Sequence, residues 1–153
     1  MGVKHLMNST IQDKVSQLKE MFSRIPDWES RYAKMIKLGK EMEPYPEEGK
    51  EDQYLIKGCQ SRVWLYPQFK DGVLKLYADS DSVLVKGIVS LLIYVYSGQE
   101  PKEILNNPAD FLKDLGITEH LSMNRNNGLV AMLKQIHLYA QVLDYQQKLN
   151  LQR

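Results

Sequence analysis

One cysteine, Cys59, stands in a chain of 153 residues, so no disulfide can close within a monomer. A free thiol belongs most simply to a reducing compartment, and the cytoplasm is the expected setting. Charge of one sign is also lacking: 20 Lys and Arg oppose 19 Asp and Glu, a net +1. No basic field of the kind a phosphate backbone requires is present, so nucleic acid is not an expected partner. Long apolar runs are absent too. The strongest, Val83 to Tyr96, carries Lys86 and falls short of the roughly 20 residues that span a bilayer. It is expected to be a core element, with no membrane partner.

The N-terminal MGVKHLMNSTIQDK lacks the apolar centre of a signal peptide, and Leu6 stands where a myristoylation motif has Ser or Thr, so neither export nor lipidation is expected. Gly58, Gly72, Gly87 and Gly98 stand alone, without the spacing of a phosphate-binding loop. Cys59 with His5, His120 and His137 shows no zinc-ligand spacing. A single thiolate also falls short of what an iron–sulfur scaffold brings to its cluster. No cofactor and no metal are expected.

What is present fits one α+β domain over residues 1–153, with a core from about 8 to 147. A chain of this length can bury roughly 70% of the surface it exposes when unfolded. Asn8, Ser9 and Thr10 offer caps for a helix with Ile11, Val15, Leu18, Phe22 and Ile25 on one face, interrupted at Pro26. Asp27 can cap a second, striped by Trp28, Tyr32, Met35, Ile36 and Met42 and ended by Pro44 and Pro46. The two are expected to pack as a hairpin. The connection that follows carries Glu41, Glu43, Glu47, Glu48, Glu51 and Asp52 against Lys50. It fits a solvated loop, and a docking site for a basic surface is the alternative.

Tyr54–Ile56, Val63–Tyr66 and Val73–Tyr77 have strand character, with Lys70-Asp71-Gly72 as a turn, which predicts a three-stranded antiparallel meander. Cys59 then falls at the tip of the loop joining the first two strands, where Gly58 allows a tight backbone. In the apolar run, Val85, Val89, Leu92 and Tyr96 recur at helical spacing, which predicts a buried helix capped by Asp81 or Ser82 and stopped near Gly98. Gly87 and Ser90 allow another element to approach it closely. Short helices follow from Pro101 to Leu105 and from Pro108 to Leu115, closed by Gly116. A polar bend over 121–127 precedes a long helix from Gly128, with Leu129, Met132, Leu133, Ile136, Ala140 and Leu143 inward.

Thiol chemistry at Cys59 is the remaining candidate. The thiolate is the nucleophile and nearby cations promote it; Lys57 and Arg62 flank it in sequence, though an extended chain can point both away. A buried structural cysteine is the competing reading. His120 and Arg125 are the available helpers for protease or peroxidase chemistry, and nothing local places either beside the thiol.

Gly58-Cys59-Gln60-Ser61 followed by Val63-Trp64, then Asp79-Ser80-Asp81 running into Val85-Lys86-Gly87, then His120-Leu121 and Arg125 with Gly128-Leu129, resembles the SufE family of sulfur-acceptor proteins, which includes CsdE. The likeness spans roughly Leu55 to Ala140. It implies an α+β fold similar to IscU-type scaffolds, with helices packed on a three-stranded antiparallel sheet. It also implies a role as acceptor and activator for a SufS- or CsdA-like cysteine desulfurase, whose pyridoxal phosphate stays with that partner. On this resemblance Cys59 takes persulfide sulfur and passes it to a SufBCD-type scaffold, making the chain an accessory protein without independent activity. The resemblance further implies that the acceptor thiol turns into an apolar cavity. It gives Gly58, Gln60, Ser61, Arg62, Asp81 and Arg125 supporting or partner-contact roles. Two departures stand out: Arg62 replaces a common Gln, and Met123-Asn124 precede Arg125 where Ser or Thr with Pro is usual. A non-catalytic binding module and a free-standing cysteine enzyme are the alternatives.

Overall fold

The computed structural model describes residues 10–151; His5, Asn8 and Ser9 lie outside them. Helix α1 (Ile11–Ser23) begins at Thr10, whose side chain accepts from Asp13 N while Asp13 accepts from Thr10 N. This reciprocal cap satisfies two amides that the first turn leaves unpaired. Asp27 caps α2 (Trp28–Lys40) from one side only, its carboxylate accepting from Ser30 N at 2.8 Å and from Ser30 Oγ at 3.0 Å. The chain then runs through two short 3-10 turns, Glu47–Gly49 and Asp52–Tyr54, into the hairpin of β1 (Val63–Lys70) and β2 (Val73–Ser80). Helices α3 (Val83–Tyr96), α4 (Pro101–Asn106), α5 (Phe111–Asp114), α6 (Ile117–His120) and α7 (Met123–Leu151) complete it.

The hairpin turn is made by Asp71 and Gly72, both at positive φ (55° and 81°), the backbone that a tight two-residue turn demands. Pairing sets Leu65 opposite Ala78 and Tyr66 opposite Tyr77. Val63, Leu65, Leu74, Leu76 and Ala78 are buried against the helices. The other face carries Trp64, Tyr66, Lys75, Tyr77 and Asp79, where Lys50 and Lys86 both pair with Asp79. The architecture is thus mixed α+β as expected.

The sheet, however, has two strands and not three. Tyr54–Ile56 does not form the expected strand because its backbone is satisfied locally: Tyr54 N donates to Glu51 O and Leu55 N to Asp52 O in the 3-10 turn. Only one bridge, Leu55 to Trp64, and one bond, Ile56 N to Val63 O at 2.8 Å, reach the hairpin before the chain turns off. On the opposite edge Gln99 bridges Leu74.

The apolar run is helical, and α3 is the centre of the core: Leu92, Val95 and Tyr96 are fully buried, each worth a few kcal/mol of hydrophobic transfer at most. Ser82 caps it through its hydroxyl, which accepts from Val85 N at 3.3 Å. Helix α2 crosses α3 where two glycines meet. A Cβ on Gly87 would lie 2.5 Å from Met35 O, and one on Gly39 would lie 2.8 Å from Gly87 N. The expected hairpin of α1 and α2 gives way to this crossing; each helix packs on α3 more than on its sequence neighbour. Helix α7 begins at Met123, so 121–127 is not a bend but mostly its first turn. Ser122 opens it, its Oγ accepting from Arg125 N and its carbonyl from Asn126 N.

Candidate functional site

The loop over 57–62 leaves the bridge at Leu55 and enters β1 at Val63. Gly58 turns it with a φ of 92°. Its far end is fastened at three points: Arg62 N donates to Asp81 Oδ1 (3.0 Å), Ser80 Oγ donates to Arg62 O (2.8 Å), and Asp81 N donates to the same carbonyl (3.2 Å). Asp81 is therefore a latch for the cysteine loop, and Ser82 is the helix cap. Between the fastened ends, residues 57–61 make no hydrogen bond among the described residues. Backbone left to solvent in this way opens at little cost.

Cys59 is half-buried and turned inward, away from the expected loop tip. Its Sγ sits against Gly128 in the second turn of α7: a Cβ built on that glycine would lie 2.9 Å from the sulfur. Beyond the thiol lies a cavity of about 90 Å³, well above the roughly 10–15 Å³ that one water requires. Val63, Val85, Ile88, Val89, Leu129 and Met132 make its walls, while Gln60, Ser61, Asn124 and Arg125 stand at its polar rim. Four elements thus converge on one sulfur: the loop, β1, α3 and the start of α7.

Burial in this setting pushes the Cys59 thiol above its ordinary pKa, because the thiolate would lose hydration. Neither flanking cation reverses this. Lys57 lines a separate depression with Asp52 and Gln135, and Arg62 serves through its backbone. The two described histidines are engaged elsewhere. His120 stacks on Trp28 with ring centroids 3.7 Å apart and its Nδ1 is 2.9 Å from Gly116 O. His137 Nδ1 is 2.9 Å from Leu133 O. Neither lines the cavity, so among the described residues no histidine attends the thiol and no metal-ligating cluster occurs. In this position the sulfur is a sheltered neutral thiol, with room beside it for additional atoms.

The sequence-predicted residues separate into two groups. Cys59, Gln60, Ser61 and Arg125 border the cavity, whereas Gly58, Arg62 and Asp81 shape and hold the loop. The structure adds Gly128 to the site, a residue that the sequence pattern places only at the start of the long helix. A glycine one turn inside a helix carries a propensity cost of about 1 kcal/mol, and that cost was the available signal of a close approach.

The sequence matches the family described as SufE: Fe-S metabolism associated domain over residues 16–140. The chain belongs to the SufE family. An uncharacterized SufE-like protein of Synechocystis sp. is 34% identical over 135 residues, covering 88% of this chain and 85% of that one. The solution structure of a hypothetical protein from Thermus thermophilus superposes with a TM-score of 0.72 at 23% identity, covering 85% of this chain and 95% of that one. That likeness shows the shared fold. Membership in the SufE family associates the chain with iron–sulfur metabolism. The matched segment contains the whole cavity and ends eleven residues before the end of α7 as described. Among the described residues no helix is long and apolar enough to cross a membrane.

Proposed function

We propose that the chain is a sulfur acceptor for a SufS- or CsdA-like cysteine desulfurase and that Cys59 carries the sulfur. The Cys59 thiolate attacks the outer sulfur of the persulfide on the desulfurase cysteine. A new S–S bond forms to Cys59, the old S–S bond breaks, and its electron pair leaves with the desulfurase cysteine as thiolate. The product is a persulfide on Cys59, to be passed to a SufBCD-type scaffold. The pyridoxal phosphate stays with the desulfurase, and this chain acts as a single cytoplasmic accessory unit without a cofactor of its own.

One observation carries the reading: the chain's only thiol faces an apolar cavity with room for another sulfur. A persulfide is readily lost to other thiols and to oxidants, so a recess with apolar walls protects it between encounters. The same burial disfavours the thiolate, so the inward thiol rests and the loop swings outward for the attack. The absence of hydrogen bonds over 57–61 among the described residues supports such a swing, and the Asp81 latch supplies its fixed end. Gln60, Ser61 and Arg125 then meet the partner at the rim.

Incubation with an active desulfurase and cysteine, followed by intact mass measurement, tests this. A sulfur adduct is expected on the wild type and not on Cys59→Ser. An unmodified wild type beside a demonstrably active desulfurase overturns it. Hydrolysis or peroxide turnover without any desulfurase would favour a free-standing cysteine enzyme instead.

A further inference from the structure

A second, larger recess lies away from the thiol. Lys14, Gln17, Leu18 and Met21 recur at i, i+3, i+4 and i+7, so helical spacing alone sets them on one face of α1. That face borders a groove of about 710 Å³, closed by the C-terminal end of α2, by β2 and by the last turns of α3. The groove shares no residue with the cavity at Cys59. Its size falls within the roughly 300–1,000 Å³ usual for small-molecule sites. Leu18, Leu76 and Leu91 are buried and make its floor, and Met21 and Met42 line its sides with unbranched, adaptable chains.

Lys14 is drawn into this apolar setting without a counter-charge. It is half-buried, and burial alone lowers its pKa, with no carboxylate offsetting the effect. It makes no ion pair among the described residues; its Nζ lies 5.4 Å from the centre of the Tyr94 ring. An unpaired lysine at the surface is ordinary, but one that loses hydration to an apolar wall is held at a cost. Beside it the Tyr94 hydroxyl donates to Gln17 Oε1, which leaves Gln17 Nε2 with no acceptor among the described residues. Of the carboxylates on the groove, Glu43 is paired with Lys75 at 3.1 Å and Glu41 is exposed.

We propose that this groove binds a carboxylate carrying an apolar hydrocarbon chain, a ligand of the fatty-acid class, with its head on Lys14 and Gln17 and its chain over the leucine floor. The head supplies the missing counter-charge, and the ammonium and amide donors satisfy its oxygens with charge-assisted hydrogen bonds. The chain covers apolar wall that otherwise faces water. A neutral alcohol of the same length leaves the ammonium unpaired, and a phosphate head brings a second charge that one ammonium does not balance. A single carboxylate is therefore the head that fits. The proposal does not depend on the sulfur-acceptor reading, because the groove and the thiol cavity have no residue in common.

An NMR titration of the full, isotope-labelled chain with octanoate, kept below the concentration at which it forms micelles, tests this. Saturable amide shifts are expected at the groove residues of α1 and α3, with a Kd of about 1 mM or tighter. Octanol is expected to bind about tenfold more weakly, the loss of one charge-assisted contact. Lys14→Gln is expected to lose about the same factor for octanoate, whereas Lys14→Arg keeps the charge and retains the binding. The comparison of octanoate with octanol needs no variant, so the test stands even where Lys14→Gln fails to fold. No saturable shift overturns the proposal, and so do shifts confined to the cavity at Cys59. Octanol binding as tightly as octanoate, or a folded Lys14→Gln binding octanoate like the wild type, overturns the role of Lys14 and with it the carboxylate.

Discussion

Gly87 and Gly128 each occupy a place where a methyl group does not fit, and what stands in the way differs in kind. At Gly87 the obstruction is backbone, Met35 O at 2.5 Å from a built Cβ, in a helix buried at the core. At Gly128 it is the Cys59 sulfur at 2.9 Å, on a loop whose residues 57–61 make no hydrogen bond among the described residues. The same omission of a side chain therefore fixes a permanent crossing in one region and provides a seat that can be vacated in the other.

The largest effect is expected at the crossing. Gly87→Ala gains about 1 kcal/mol of helix propensity, but the two backbones must separate, and overpacking of this kind costs about 1–3 kcal/mol and occasionally more. A net fall in thermal midpoint of a few degrees is expected, because 1 kcal/mol corresponds to about 2–4 °C at this chain length. An unchanged midpoint would show that α2 yields, and the contrast with Gly128 would disappear.

Gly128→Ala sharpens the contrast from the other side. Here helix propensity again improves, while the added methyl displaces only a thiol on a yielding loop. Global stability is expected to stay within about 1 kcal/mol of wild type, while alkylation of Cys59 accelerates about tenfold, equivalent to about 1.4 kcal/mol of lost preference for the inward position. The pH profile should move with it. Burial raises the thiol pKa, so the inward position is favoured below the ordinary thiol value and is lost as pH rises through the raised one. The alkylation midpoint of the wild type is expected on the alkaline side of a free cysteine, and that of Gly128→Ala closer to it. Coincident profiles would mean that Gly128 does not set the inward position.

A smaller change is expected at the latch. Asp81→Ala removes the acceptor for Arg62 N, a contact worth about 0.5–1.5 kcal/mol at an exposed site. It should raise the alkylation rate less than Gly128→Ala does. Asp81→Asn keeps a side-chain oxygen and is expected to restore most of the wild-type rate. Equal rates in both variants would assign the effect to charge rather than to the hydrogen bond.

How much of this was legible in the sequence follows the same division. Elements whose pattern is set by their own period were readable: the i, i+4, i+7 spacing of Val85, Val89 and Leu92 marked α3 as a helix, and Asp71-Gly72 marked the hairpin turn. Features decided by distant partners were not. Tyr54–Ile56 has strand composition, yet the Tyr54 ring packs edge-on against Tyr66 and the segment's amides close a 3-10 turn. Asp81 could have capped α3, but the Arg62 amide nineteen residues away takes its carboxylate. The GCQS segment marked the thiol and its family, whereas its inward direction depends on Gly128, sixty-nine residues further on.

The smallest effect concerns the start of α7. Met123 is the first residue of this helix, directly after Ser122, whose hydroxyl accepts from Arg125 N at 3.2 Å. At this position a proline gives up no intrahelical bond, since the first amides of a helix have no partner, and its fixed φ suits the helix. A proline also restricts the residue before it to extended backbone, the conformation usual at a capping position. The missing proline noted in the sequence therefore does not unseat the helix; it leaves the unfolded chain with more freedom to lose. Met123→Pro is expected to stabilise by about 0.4–1 kcal/mol through that loss of freedom, a rise of about 1–4 °C in thermal midpoint. The Met123 side chain is exposed and does not line the cavity, so Cys59 alkylation should be unchanged. A lower midpoint would place the first turn elsewhere; a changed alkylation rate would mean that the helix start and the thiol seat move together.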